Sequence, residues 1–213
     1  VILEQISTGG DRNFGYFIAE KEEGPAAVID PSGRPDLFSD LLERNKCRLR
    51  YVILTHSHYD HSGGAENLIR RNSALLVAHR HADCTVDMAV EDGAVLELGS
   101  LRLEIIHTPG HTEDSICVLC QGNLFTGDTL FVGKVGGTDL GHGARMEYES
   151  LHRKLMTLPE ETRVYPGHDY GAASSSTIGL EKETNPFILC RSFEDFVELK
   201  ANWAEYKIKH GIK

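Results

Sequence analysis

The stretch Thr55-His-Ser-His-Tyr-Asp-His61 constrains this chain more than any other, because His56 to His61 place three imidazoles and a carboxylate within six positions. It follows the apolar run Tyr51-Val-Ile-Leu54 and precedes Gly63-Gly64, the pattern of a buried strand that enters a tight loop. That many polar groups against a core are costly unless something satisfies them, and a divalent cation does so. With 11 histidines in 213 residues, composition does not account for the cluster. In a turning loop His56 and His58 reach one cation while Asp60 and His61 reach another.

Three further ligand candidates each follow an expected strand, and each is preceded by glycine. They are His111 in Thr108-Pro-Gly-His-Thr112, Asp128 in Thr126-Gly-Asp-Thr129 and His168 in Tyr165-Pro-Gly-His-Asp169. Glycine at such a point lets the backbone turn sharply or approach a site closely. Strand ends at one edge of a layered fold converge, so ligands distant in sequence become neighbours.

β-Branched apolar runs bounded by Gly, Pro or Asp predict strands near 14–19, 26–30, 50–55, 74–78, 95–98, 101–107, 115–119, 123–126 and 162–165. Helical periodicity covers 35–45, 62–71, 147–157 and 193–209. The last carries Phe193, Phe196, Leu199, Trp203 and Tyr206 as an apolar stripe, with Ser192 and Asp195 as an approximate capping box. The order of elements implies two sheets covered by helices, a layered α/β architecture. The expected organisation is one domain over 1–186, with 187–213 as a C-terminal helix packed on it. Between Gly133 and Gly143, Gly133-Lys-Val lacks the Ser or Thr of a phosphate-binding loop. That segment reads as a flexible loop beside the metals, where Lys134, His142 or Arg145 can bind an anionic substrate group.

The complete set of motifs resembles the metallo-β-lactamase-fold hydrolases, and within them the glyoxalase II (hydroxyacylglutathione hydrolase) group. The resemblance spans roughly 13–186, on His-x-His-x-Asp-His followed by the His, Asp and His signposts in the expected order. It implies an αββα four-layer sandwich with a dinuclear site at one edge of the two sheets. Carried over by motif, it implies one metal on His56, His58 and His111, a second on Asp60, His61 and His168, and Asp128 between them. The donors suit two divalent ions, zinc foremost, with iron or manganese as alternatives. The implied reaction is thioester hydrolysis by a metal-bridging hydroxide on a small acyl-thiol substrate, with Asp60 as a catalytic residue that orients the nucleophile or relays its proton. A persulfide dioxygenase of similar fold is the alternative, with one ferrous iron on His56, His111 and Asp128. Gly137 stands where many small glyoxalase-like proteins and the dioxygenases carry Arg.

The remaining chemistry-bearing residues read as ordinary. His79, His81, His152 and His210 lack partners at ligand spacing, and His107 is a strand-end histidine. Cys117 and Cys120 lie three apart in an expected strand, on opposite faces, as core residues. A net charge of −10 disfavours nucleic acid as a partner, and no apolar run approaches a membrane span. Five scattered cysteines and an N-terminal stretch unlike a signal peptide make the cytoplasm the expected location.

Overall fold

The computed structural model describes residues 1–212. Its first half is β1 (Ile2–Gly9), β2 (Asn13–Ala19), β3 (Pro25–Ile29), α1 (Pro35–Arg44), β4 (Arg48–Ile53), α2 (Tyr59–Ser62), α3 (Ala65–Asn72), β5 (Leu75–His79) and β6 (Met88–Val90). These six strands form one sheet in sequence order. The second half is β7 (Val95–Leu98), β8 (Leu101–His107), β9 (Ile116–Cys120), β10 (Asn123–Gly127), the hairpin β11 (Leu130–Phe131) and β12 (Lys134–Val135), α4 (His142–Arg153), β13 (Arg163–Pro166) and β14 (Ser176–Thr177). Helices α5 (Ile178–Thr184), α6 (Phe193–Ala201) and α7 (Trp203–His210) complete it. The second sheet runs β14-β13-β10-β9-β8-β7.

Alternation along the strands sorts apolar side chains into three buried layers. Tyr16 and Ile18 of β2 point between the sheets, with Ile53, Leu103, Ile105, Val118 and Phe125. Phe17 and Ala19 of the same strand face outward, onto Phe38, Leu41 and Leu42 of α1 and Leu68 of α3. Leu124 and Val164 on the outer face of the second sheet meet Ala144 and Leu151 of α4 and Phe196 of α6. The result is a helix–sheet–sheet–helix stack, the four-layer αββα sandwich that the resemblance implies. Cys117 belongs to the outer layer and Cys120 to the layer between the sheets, the opposite-face placement that their spacing requires.

Several boundaries differ from the sequence reading. The expected helix 193–209 is two helices broken at Asn202, whose side chain donates to the Glu198 carbonyl and competes with the helical ladder. The expected helix 62–71 is split into α2 and α3 at Gly63-Gly64. A Cβ at Gly64 would lie 2.3 Å from the Ser32 carbonyl, so only glycine fits this crossing. The segment 133–143, expected to be a loop, contributes β12 and opens α4, which begins five residues before the expected start at 147. Strand β1 was not foreseen; it is a partly exposed edge strand with little hydrophobic signal. Among the described residues, no helix is long and apolar enough to cross a membrane.

Candidate metal centre

Every ligand candidate lies in a loop or short turn that leaves a strand on the same edge of the sandwich. His56 and His58 follow β4, and α2 supplies Asp60 and His61. His111 lies between β8 and β9, Asp128 follows β10 and His168 follows β13. Parallel pairing of β10 with β13 places Gly127 beside Pro166, which brings the Asp128 and His168 loops together. Glycine at 127 is required: its φ is +49°, and a Cβ there would lie 2.4 Å from Thr55 Oγ1.

Three overlapping sets of donors converge, each with ligand atoms within 4.8 Å of one another: His56/His58/His111, His56/His61/Asp128 and Asp60/His61/His168. Ring nitrogens face each other at 3.0 Å (His56 Nε2 and His58 Nδ1), 3.1 Å (His111 Nε2 and His58 Nδ1) and 3.2 Å (His61 Nε2 and His168 Nε2). Two nitrogens on one tetrahedral zinc are separated by about 3.3 Å, so these spacings fit a shared cation. Asp128 lies between the sets, with Oδ1 3.3 Å from His61 Nε2 and Oδ2 3.3 Å from His168 Nε2 and 3.7 Å from His111 Nε2. Its Oδ1 is buried without a hydrogen-bond partner, an orphaned acceptor of the kind a cation satisfies.

The surroundings of each imidazole fix which nitrogen faces inward. His61 Nδ1 donates to Asp30 Oδ2 at 2.9 Å, His111 Nδ1 to the Gly137 carbonyl at 2.7 Å and His168 Nδ1 to the Asp11 carbonyl at 2.9 Å. His56 Nδ1 is 3.1 Å from Thr55 Oγ1, whose hydroxyl is itself committed to Asp30 Oδ2 at 2.6 Å. Four histidines therefore present Nε2 to the centre, oriented by a carboxylate, a hydroxyl or a carbonyl, as metal-binding imidazoles are. Buried Asp30 holds three groups at once, through Thr55 N, Thr55 Oγ1 and His61. The Asn13 amide donates to Asp60 Oδ2 at 2.9 Å.

Electrostatics agree with a cluster built around positive charge. Burial disfavours the Asp128 carboxylate, but His168 and His61 outweigh it and hold its pKa well below the usual range. Burial also disfavours charge on His61, yet Asp30 and Asp128 raise its pKa to about 10. His56 is pushed far below its ordinary value, mainly by burial, and His111 is lowered by burial as well. For Asp60, burial is outweighed by the Asn13 hydrogen bond and by His61 and His168, and its pKa is lowered.

All seven expected ligands thus meet at one edge. The three expected substrate contacts separate: Lys134 Nζ sits 4.2 Å from the Tyr170 ring centre, beside His168, on which Tyr170 stacks at 4.6 Å. Arg145 instead lies over the Phe193 ring of α6 at 3.5 Å, and His142 is an exposed first residue of α4. Sequence reasoning missed Asp30, Asn13 and the carbonyls of Asp11 and Gly137. Asp30 ends a buried strand, which was a usable signal, whereas the carbonyls leave none in the sequence.

The chain matches the Metallo-beta-lactamase superfamily over residues 8–168. It is 38% identical over 178 residues to the hydroxyacylglutathione hydrolase of Polaromonas sp., covering 80% of this chain and 67% of that protein. It is 32% identical over 208 residues to human mitochondrial persulfide dioxygenase ETHE1, covering 95% of this chain and 81% of that protein. The crystal structure of ETHE1 from Myxococcus xanthus superposes with a TM-score of 0.89 at 34% identity, covering 95% of this chain and 91% of that one. With its fold, its converging ligands and these relatives together, the chain belongs to the metallo-β-lactamase superfamily of enzymes.

Proposed function

We propose that the protein is a dinuclear metal hydrolase of acyl-thiol substrates, similar in chemistry to hydroxyacylglutathione hydrolases. The observation that carries this reading is the second donor set. His61 and His168, with side chains 0% and 3% exposed, turn Nε2 atoms toward each other at 3.2 Å beside Asp60 and Asp128. One ion on His56, His111 and Asp128 would leave the inward-facing atoms of that set held only by contacts among its own members and with Asn13. Two divalent ions, zinc in our reading, would supply a nucleophile from bound water at neutral pH and polarise the thioester carbonyl.

The protein's own groups then divide the work. Asp60, held by Asn13 and 46% exposed at its side chain, would orient the attacking water and accept its proton. Lys134, over the Tyr170 ring that stacks on His168, would bind an anionic part of the thiol carrier. His61 and His168 remain fixed while this happens, because their Nδ1 atoms are tied to Asp30 and the Asp11 carbonyl.

A persulfide dioxygenase is the second reading. It is favoured by the approach of His111 to Asp128 at 3.7 Å beside His56, a two-histidine, one-carboxylate face suited to ferrous iron. The persulfide dioxygenase relative matches 95% of this chain, against 80% for the hydroxyacylglutathione hydrolase of Polaromonas sp.. Assaying S-lactoylglutathione hydrolysis and persulfide-dependent oxygen uptake on one preparation separates the two. Thioester cleavage without oxygen uptake supports the hydrolase, and the reverse overturns it.

A further inference from the structure

A buried ion pair connects the C-terminal helices to one side of the metal centre. Lys200 of α6 and Glu147 of α4 have side chains 6% and 0% exposed. Lys200 Nζ donates to Glu147 Oε2 and, at 2.6 Å, to the carbonyl of Gly136. A buried pair of this kind contributes little net stability, since desolvation of both charges offsets their attraction. Apolar residues of similar volume would hold the two helices together as well, so its contacts rather than its energy need an explanation.

Those contacts lead to His111 and Asp128. Gly136 packs against Asp128, because a Cβ at Gly136 would fall 2.0 Å from the Asp128 carbonyl oxygen and 3.2 Å from Glu147 Oε1. The next carbonyl, that of Gly137, accepts the hydrogen bond from His111 Nδ1. From the other side, a Cβ at Gly110, the residue before His111, would lie 2.4 Å from Glu147 Cβ. One turn further along α4, Ser150 Oγ donates to the Pro109 carbonyl at 2.8 Å. None of the hydrogen bonds that hold Asp60, His61 or His168 involves either member of the pair.

We propose that Glu147 and Lys200 are positioning residues that clamp the Gly136–Gly137 segment between α4 and α6, orient His111 through the Gly137 carbonyl, and so set the affinity for the metal that His111 holds. The inference rests on the cluster being a metal site, but not on the choice between hydrolase and dioxygenase, because His111 is a ligand in both.

The test uses zinc alone, with stepwise affinities measured by chelator competition on the full-length protein, alongside melting of the metal-free form. Lys200→Met strands a buried carboxylate and can unfold the chain, so the deciding variant is Glu147→Leu/Lys200→Met, which removes both charges. Loss of an orienting partner weakens metal binding by about 10–100-fold. In the double variant one stepwise affinity falls by at least about tenfold and the other changes by less than about threefold. Lys200→Arg, which keeps a cation within reach of Glu147 and Gly136, stays within about threefold at both. Equal weakening of both sites, or of neither, overturns the proposal, as does a double variant that no longer folds, since the pair is then a structural requirement. If the wild type binds one ion, the dinuclear reading fails separately; the clamp then requires that single affinity to fall, and an unchanged value overturns it.

Discussion

Gly136→Ala and Gly137→Ala, adjacent substitutions of the same size, are expected to differ sharply. Neither glycine has a positive φ, so alanine adopts both backbones and the effect is one of space alone. At Gly137 a Cβ meets nothing within 4 Å, whereas at Gly136 it would sit 2.0 Å from the Asp128 carbonyl oxygen. Contacts of carbon with oxygen below 3.0 Å do not persist, so the 136 peptide or the Asp128 backbone must move by about 1 Å. Overpacking of this kind costs about 1–3 kcal/mol, or roughly 2–12 °C in Tm for a domain of this size. A displacement of about 1 Å at a catalytic group lowers turnover by about 100-fold. Gly137→Ala stays within about 0.5 kcal/mol of wild type and keeps its activity within about twofold. Thermal melts, bound zinc per chain and kcat for both variants check this. Equal behaviour of the two, or a Gly136→Ala protein with wild-type melting and turnover, contradicts the packing described here.

Three further outcomes are expected. Asp60→Asn retains bound metal through His61 and His168 but loses about 100-fold or more in kcat, measured as thioester hydrolysis; undiminished turnover removes Asp60 from the chemistry. Lys134→Met raises KM for an anionic thioester by about tenfold with kcat nearly unchanged, as loss of a charged contact requires, and equal kinetics place the anionic group elsewhere. His79 is held down at about 4 by burial and by neighbouring His107 and His81. The unfolded chain therefore binds the proton first, and stability is lost as pH falls from about 6.5 toward 4. His79→Gln should flatten that acid limb by about 1 kcal/mol in melts between pH 7 and 4.5, a figure reduced from the full linkage for screening, and an unchanged slope rejects it.

The ligands were legible because metal chemistry needs side chains, and side chains are what a sequence lists. His56, His58, Asp60 and His61 stand together, and the glycines before His111, Asp128 and His168 mark the turns that aim them inward. Core strands were legible for a similar reason, since Tyr16/Ile18 and Phe17/Ala19 face two different apolar layers. Illegible features depend on partners distant in sequence. The carbonyls of Gly137 and Asp11 orient His111 and His168 through peptide groups common to every residue. Glu147 and Lys200 stand 53 positions apart on separate helices, and no local pattern connects them. Asn202 breaks the last helix by a local hydrogen bond that the apolar periodicity of Phe196, Leu199, Trp203 and Tyr206 conceals. Arg145, expected to bind an anionic substrate group, lies over the Phe193 ring, a partner 48 positions away that no local pattern announces.

Metal content per chain, determined by elemental analysis of protein purified without added metal or chelator and paired with both activity assays on the same sample, bears on the dinuclear hydrolase itself. Two ions per chain with thioester cleavage and no persulfide-dependent oxygen uptake is the expected result. One iron per chain with oxygen uptake and no thioester cleavage would contradict it and assign the protein to the dioxygenases.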